Sequence, residues 1–593
     1  MTLAPCSAII MEAKAAVIIV ENSSTFTPSR GFIFIPQSYY ISCQFQLEFF
    51  CLRQSYLVTT ISRHDQVLSQ PYLTTIMDKT TLIQYIASMS LQKYATLALT
   101  CFTLQGCEFG VDPGSSISPN YHLLSSCDKP DSAAIASLVA DSLCGTISVF
   151  EDRVTKSGRK IDLNIMVIPA ISPSQPDPIF FLAGGPGQSA VDVGPFLFSR
   201  LHRLRNERDI VLVDQRGTGK SNSLACELSA SAFEQVNLSV AAATEMQIEN
   251  LKKCLTEYDA NTALYTTPIA MDDLNEVREV LGYSKINLLG ISYGTRAGLV
   301  YIRRHQDTVR SAVLDAVAPL TMAIPKNVAT DAQAAFERLV TDCKKQPGCK
   351  ETYPHLKDHF RLLVQGLEQT PEEIALHHPR TGKATKGTID SRLINRLVRA
   401  IMYDRTLSRL LPLAIEEAFG GNYAPLSTLA YTLTGEDTSL SSGMMASVLC
   451  AEDMTRVDAA SNSMDFDNAI YEALDPICEF WPRGSVPEGY FEPVVSDIPV
   501  LLASGTLDPV TPPKYGWEAS LTLSNSEHIV IPGVGHSVVT VGCMPDIVYD
   551  FFSHPEASKV SASCRVDLKR PPFFTSLAGP LGPGEGAQEE KHR

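Results

Sequence analysis

Mostly apolar runs, each ending near a glycine, aspartate or proline, set the rhythm of this protein over residues 179–182, 210–213, 286–289, 309–317, 498–504 and 528–531. They are too short for buried helices and do not alternate, which predicts strands covered on both faces in a mostly parallel sheet. Residues 160–169 differ: Ile161, Leu163, Ile165 and Val167 alternate with other side chains, predicting a half-exposed edge strand. Residues 271–281 carry Leu274, Val277, Val280 and Leu281 at helical spacing. Between Asp315 and Ile498 the strand rhythm stops and helical stretches take over, such as 331–343 and 391–403. The expected architecture is α/β: core parts at 145–319 and 496–570, a helical cap at 320–495 between them, and a disordered tail at 571–593. No internal repeat is visible.

The run at 286–289 leads into Gly290-Ile291-Ser292-Tyr293-Gly294, and a helical pattern begins just after Ser292. Strand, sharp turn and helix around Gly-x-Ser-x-Gly form the nucleophile elbow of an α/β-hydrolase. A serine in that turn is strained, with its hydroxyl clear of the sheet, so the flanking glycines must lack side chains. Taken alone, the pentapeptide is equally a glycine-flanked turn with an idle serine. The rest of the sequence decides between the two. Asp508 follows the run at 498–504, and His536, 28 residues on, follows the run at 528–531. The order Ser, Asp, His, each on a loop after a strand, is that of this fold. An oxyanion hole is expected from the amides of Tyr293 and of Gly185 in Gly184-Gly185-Pro186-Gly187; Pro186 has no N–H to offer. A phosphate loop is the competing reading of that glycine cluster, but the Lys-Ser/Thr such loops need is missing. Asp214 and Arg216, in the turn after residues 210–213, are read as a structural brace because the triad is complete without them.

Composition narrows the setting. The 593 residues are 45% hydrophobic and 19% charged, ordinary for a protein that buries a core. A net charge of −16 argues against nucleic acid as partner. It would attract cationic substrates, although solubility explains it equally well. Of 15 cysteines, ten lie beyond Cys107 and pair most simply with their nearest neighbours: 127 with 144, 226 with 254, 343 with 349, 450 with 478, and 543 with 564. Spacing alone does not fix that connectivity. Zinc is the alternative, but no Cys-x-x-Cys occurs, and disulfides place the mature protein outside the reducing cytoplasm.

The first 88 residues lack periodicity and are rich in Ser, Thr, Tyr and Phe. After Met89, Lys93 supplies a positive charge and residues 94–104 an apolar stretch too short to span a bilayer. Leu104-Gln105-Gly106-Cys107 is similar to a bacterial lipobox, with glutamine as a departure. Residues 89–107 are therefore expected to be a signal segment, ending in a lipid anchor at Cys107 or in plain cleavage nearby. Residues 108–144 are read as a linker. Translation is expected to start at Met89 or Met77, making residues 1–88 non-native; a genuine N-terminal extension is the alternative.

The motifs together carry a family resemblance. Gly184-Gly185-Pro186-Gly187, Asp214-Gln215-Arg216-Gly217, Gly290 to Gly294, Val313-Leu314-Asp315, Asp508 to Pro512 and Gly535-His536 resemble the proline iminopeptidase and tripeptidyl aminopeptidase family of α/β-hydrolases. Cys450-Ala451-Glu452-Asp453, Cys478-Glu479-Phe480-Trp481 and the Cys543…Cys564 ending resemble its exported, tripeptidyl-aminopeptidase-like (TAP-like) branch. The similarity covers about residues 140–565. Ala183 stands where proline iminopeptidases usually carry histidine, which weakens strict proline specificity.

The resemblance implies a serine exopeptidase, without cofactor or metal, that frees proline or tripeptides from peptide N-termini in the bacterial periplasm or envelope. Such an enzyme must hold an ammonium group, and Glu452 and Asp453 in the cap are the candidates; a solvated acidic pair is the competing reading. A carboxylesterase with the same triad, or a non-catalytic binding protein, is the rival function.

Overall fold

The computed structural model describes residues 120–128, 139–172, 174–226, 240–377, 382, 384–434, 440–457, 463, 465–556 and 570–580. The 1–88 stretch, the signal-like segment and Cys107 lie outside these residues. The alternating run becomes a strand, but not at the edge. In sequence order the strands are β1 (Ser125–Ser126), β2 (Leu143–Phe150), β3 (Lys160–Ile168), β4 (Ile179–Leu182), β5 (Ile210–Val213), β6 (Ile286–Ile291), β7 (Val309–Asp315), β8 (Glu372–His377), β9 (Ala384–Ile389), β10 (Val500–Gly505) and β11 (Ser526–Ile531). Nine of them form one sheet in the order β1-β2-β3-β5-β4-β6-β7-β10-β11. From β5 to β11 the neighbours run parallel, while β1, β2 and β3 are antiparallel.

So β3 is covered by β2, whose pattern is too mixed to read as a strand, and the edge passes to the two-residue β1. The linker expected at 108–144 is corrected too, because residues 120–128 and 139–144 belong to the core. Asn120 Nδ2 donates to the Val280 carbonyl at 2.8 Å, Tyr121 shares a hydrogen bond with Tyr283 at 2.9 Å, and β1 extends the sheet.

Both sheet faces are covered, as runs without alternation require. Helices Thr267–Val280 and Tyr293–His305 pack Val277, Ala297 and Val300 against one face. Helices Ala190–Arg200 and Met544–Ser553 pack Phe198, Val548 and Phe551 against the other. Pro268 fits the first turn of its helix, where its missing N–H costs nothing. The loops that carry Ser292, Asp508 and His536 leave the carboxyl ends of parallel strands β6, β10 and β11.

The inserted region has its own core, built around Phe336, Phe360 and Phe466. Its helices include Val328–Lys345, Leu356–Gln369 and Ser391–Met402, the last capped by Asp390 accepting from Leu393 N at 2.7 Å. The cap is not purely helical, since β8 and β9 pair as an antiparallel hairpin. Helices Ser442–Glu452 and Ala469–Phe480 pack on helix Val240–Glu257 through Leu251, Leu449 and Leu474. The tail is corrected as well: Phe573 is 1% exposed within the cap core, and Tyr353 donates to the Phe574 carbonyl at 3.0 Å. Burying such a ring contributes about 2–3 kcal/mol, enough to fix a short segment.

Four disulfides follow the nearest-neighbour pattern, Cys127–Cys144, Cys226–Cys254, Cys343–Cys349 and Cys450–Cys478. Cys543 is disulfide-bonded too, and its expected partner Cys564 lies outside the described residues. These bridges are those of an exported protein. Among the described residues no helix is long and apolar enough to cross a membrane.

Candidate active site

The turn after β6 is dictated by its glycines. A Cβ at Gly294 would lie 2.0 Å from the Leu182 carbonyl oxygen, and one at Gly290 would lie 2.5 Å from the Gly294 oxygen. Both obstacles are backbone, so neither position tolerates a side chain. Between them Ser292 adopts φ 59° and ψ −125°, a conformation that costs about 1–3 kcal/mol for a residue with a Cβ. Hydrogen bonds hold it there. Ser292 N donates to the Asp315 carbonyl at 2.9 Å, and the Ser292 carbonyl accepts from Thr295 N at 2.9 Å and Thr295 Oγ1 at 2.6 Å.

Asp508, on the loop after β10, is 1% exposed. Its Oδ1 accepts from Val510 N at 2.8 Å and Thr511 N at 2.9 Å; its Oδ2 accepts from Thr511 Oγ1 at 2.7 Å and meets His536 Nδ1 at 2.8 Å. Burial alone would raise the Asp508 carboxyl, but the adjoining imidazole and these donors outweigh it and hold it below the usual range. The same pair acts in reverse on His536. Burial works against its charge, yet Asp508, with a smaller contribution from Asp315, lifts it above the usual value. The His536 side chain keeps 12% exposure. Among the described residues the Ser292 hydroxyl makes no hydrogen bond to His536; the serine and the Asp–His pair stand on adjoining loops.

Asp315 joins those loops, and its sequence context marks it only as part of a motif. It ends β7 fully buried, its Oδ2 accepting from Ser537 Oγ at 2.7 Å, Val538 N at 2.8 Å and Val539 N at 3.0 Å. A carboxylate closing an apolar strand is the signal that could have found it. Thr511, bonded to Asp508 and 3.3 Å from His536 Nδ1, is a second such residue.

The glycine loop lies against the elbow: a Cβ added to Gly184 would be 3.3 Å from Ser292 Cβ. Gly185 has φ 110°, open only to glycine, and Gly184 N is engaged by Gln188 Oε1 at 3.1 Å. The inserted region reaches this loop and the histidine. Ser441 N donates to the Gly187 carbonyl at 3.0 Å, Gln188 and Leu440 form a β-bridge, and His536 N donates to the Tyr403 carbonyl at 3.0 Å. The Tyr403 ring packs against the imidazole at 4.9 Å.

The structure corrects the reading of Glu452 and Asp453 as ammonium ligands. Both are 0% exposed. Glu452 accepts from Thr267 N at 2.6 Å, Thr267 Oγ1 at 2.9 Å and Tyr490 OH at 2.5 Å. Asp453 accepts through both oxygens, at 2.9 Å, from Arg296 Nη1 on the elbow helix, and from Ile324 N at 2.8 Å. Their lone pairs are spent inside the protein, so they brace the helix behind Ser292. Tyr293 shares in this network: its hydroxyl meets Thr267 Oγ1 at 2.6 Å and accepts from Gln215 Nε2 at 3.1 Å.

Asp214 and Arg216 brace the site as expected. Asp214 accepts from Ser189 Oγ at 2.6 Å and Val191 N at 3.0 Å, while Arg216 clasps Asp273 at 2.6 and 2.8 Å. Among the described residues no group of three or more His, Cys, Asp or Glu side chains is placed to hold a metal ion.

Fold and elbow define a serine hydrolase of the α/β class. Two family models match this protein: the alpha/beta hydrolase fold over residues 177–368 and the TAP-like protein model over residues 462–564. It has the α/β-hydrolase fold, and its C-terminal region matches the TAP-like model. Among its relatives is "Serine protease Hip1" of Mycobacterium tuberculosis, 25% identical over 457 residues, spanning 71% of this protein and 87% of the relative. The "Tripeptidyl aminopeptidase" of Streptomyces coelicolor is 29% identical over 245 residues, 39% of this protein and 45% of the relative.

Proposed function

We propose that this protein is a serine peptidase that removes residues or short peptides from the free N-termini of peptides. The observation that carries the reading is the buried Asp508–His536 hydrogen bond of 2.8 Å, set on the loop joined through Asp315 to the strained Ser292. In the proposed reaction Asp508 fixes the imidazole, and His536 takes the proton of Ser292 as its oxygen attacks the scissile carbonyl. The amides of Tyr293 and Gly185 receive the negative charge on the carbonyl oxygen. His536 then gives its proton to the leaving amine, and water, activated by the same base, hydrolyses the acyl-enzyme.

The printed names of the two relatives support peptides over other acyl donors. The contacts of Tyr403 and Ser441 with the histidine and glycine loops support an exopeptidase, because a roof resting on both favours peptide ends over internal segments. No ammonium ligand is assigned, since Glu452 and Asp453 are committed elsewhere. The disulfides support export, and the proposal extends it to the bacterial periplasm or envelope, with Cys107 as lipid anchor. Intact mass of the native protein tests that extension.

Side-by-side assay of free-amine aminoacyl- and tripeptidyl-arylamides, their N-blocked forms and short acyl esters tests the function. The proposal expects kcat/KM to be highest for free-amine arylamides. Hydrolysis confined to the esters would instead establish the carboxylesterase.

A further inference from the structure

A cavity of about 250 Å³ lies among helices Ser391–Met402, Ser442–Glu452, Ala469–Phe480 and Val240–Glu257. Its walls are largely apolar, with Met445, Leu449, Phe466, Ile470 and Ile477 among them, yet Arg396 and Arg399 also line it. Arg396 has no hydrogen bond or ion pair among the described residues. Its neighbours on the helix are already engaged: Arg392 pairs with Glu472 at 2.6 Å, and Asp390 caps the helix. Partial burial pulls the Arg396 guanidinium below its usual pKa, Asp390 opposing the shift and Arg399 adding to it.

Arg399 bonds the Tyr403 hydroxyl, whose ring packs on His536, so the charged wall lies one helical turn from a residue touching the catalytic imidazole. Asp467 is the single acid among the described residues lining the cavity. Burial raises its carboxyl, and Asp390 acts on Arg396 from the start of the helix. An apolar hollow lined by two guanidinium groups and one carboxyl matches an aliphatic segment ending in a carboxylate, which arginine binds through two parallel hydrogen bonds.

We propose that this cavity is a specificity pocket for a carboxylate of the peptide substrate, with Arg396 as its anchor. The inference rests on the peptidase reading and adds the substrate class. The carboxylate comes either from an Asp or Glu side chain or from the C-terminus of the peptide.

The test is a set of short free-amine peptides, with Glu or Gln at each position in turn and with free or amidated C-termini, digested by the full-length protein and followed by mass spectrometry. The wild type should prefer Glu over Gln at one position, or the free C-terminus over the amide, by at least about tenfold in kcat/KM. Whichever preference appears identifies the source of the carboxylate. Arg396→Gln should bring that ratio close to one, and Arg396→Glu should invert it, favouring Gln or the amide. Fluorophosphonate labelling of Ser292 reports whether each variant is folded, and Arg396→Gln keeps the test available if the reversal does not fold. Ratios near one throughout for the wild type, or a preference that survives in a labelled Arg396 variant, would overturn the pocket while leaving the peptidase standing. Cleavage of none of the peptides alongside turnover of short esters would remove the peptidase reading, and the pocket with it.

Discussion

Asp315 touches Ser292 through its backbone and the histidine loop through its side chain: its carbonyl accepts the Ser292 amide at 2.9 Å, and its Oδ2 accepts Ser537 Oγ at 2.7 Å. One residue thereby sets the spacing between Ser292 and the His536 loop. Asp315→Ala would leave three buried donors unpaired, at about 1–3 kcal/mol each. Urea denaturation should show a loss of about 3 kcal/mol or more, and kcat should fall well beyond what the unfolded fraction explains. Unchanged kcat in the folded variant would show that the spacing is set elsewhere.

Strain at the elbow yields two opposite outcomes. Ser292→Gly removes the Cβ from a positive-φ position and should stabilise the fold by about 1 kcal/mol while abolishing turnover. Gly294→Ala places a methyl group against the Leu182 carbonyl and should cost several kcal/mol or prevent folding. Thermal denaturation of the two variants beside wild type checks both signs.

The parallel strands and the elbow are legible in sequence because physics leaves them little freedom: fully buried strands must be apolar, and a strained turn excludes side chains. Other features depend on partners distant in sequence. Glu452 and Asp453 look like solvated acids beside Cys450, and only the fold brings Thr267, Tyr490 and Arg296 to them. The β8–β9 hairpin leaves no signal because Glu372 to His377 mixes charged and apolar residues without strict alternation. β3 reads as an edge because β2, which covers it, carries its own mixed pattern. Phe573 lies beyond the last core helix, and nothing local marks it as buried.

Their burial changes what Glu452 and Asp453 should do on substitution. Glu452→Gln puts an amide against the Thr267 donors and should cost about 1–3 kcal/mol, altering free-amine and N-blocked substrates alike. Asp453→Asn leaves Arg296 without its counter-charge in the interior and should cost about 3–5 kcal/mol. A KM rise confined to free-amine substrates in Glu452→Gln would restore the ammonium role.

Catalysis needs neutral His536, whose pKa is raised above the usual 6.5, so the acid limb of kcat/KM should lie above pH 6.5. Asp508→Asn removes the main charge that raises it. Residual activity, reduced about 10⁴-fold, should then show an acid limb at lower pH. For stability the sign is set by Asp508, whose folded pKa is depressed. Its contribution is in place above the unfolded carboxyl value and is lost as pH falls through the folded one. Acid titration of the unfolding free energy, wild type against Asp508→Asn, checks this.

The most direct measurement is mass-spectrometric mapping of a fluorophosphonate adduct, paired with tripeptidyl-arylamide turnover by wild type and Ser292→Ala. The account predicts a single adduct on Ser292 and a loss of kcat of about 10⁶-fold in the variant. An adduct on another serine, or a Ser292→Ala protein that still turns over, would contradict it.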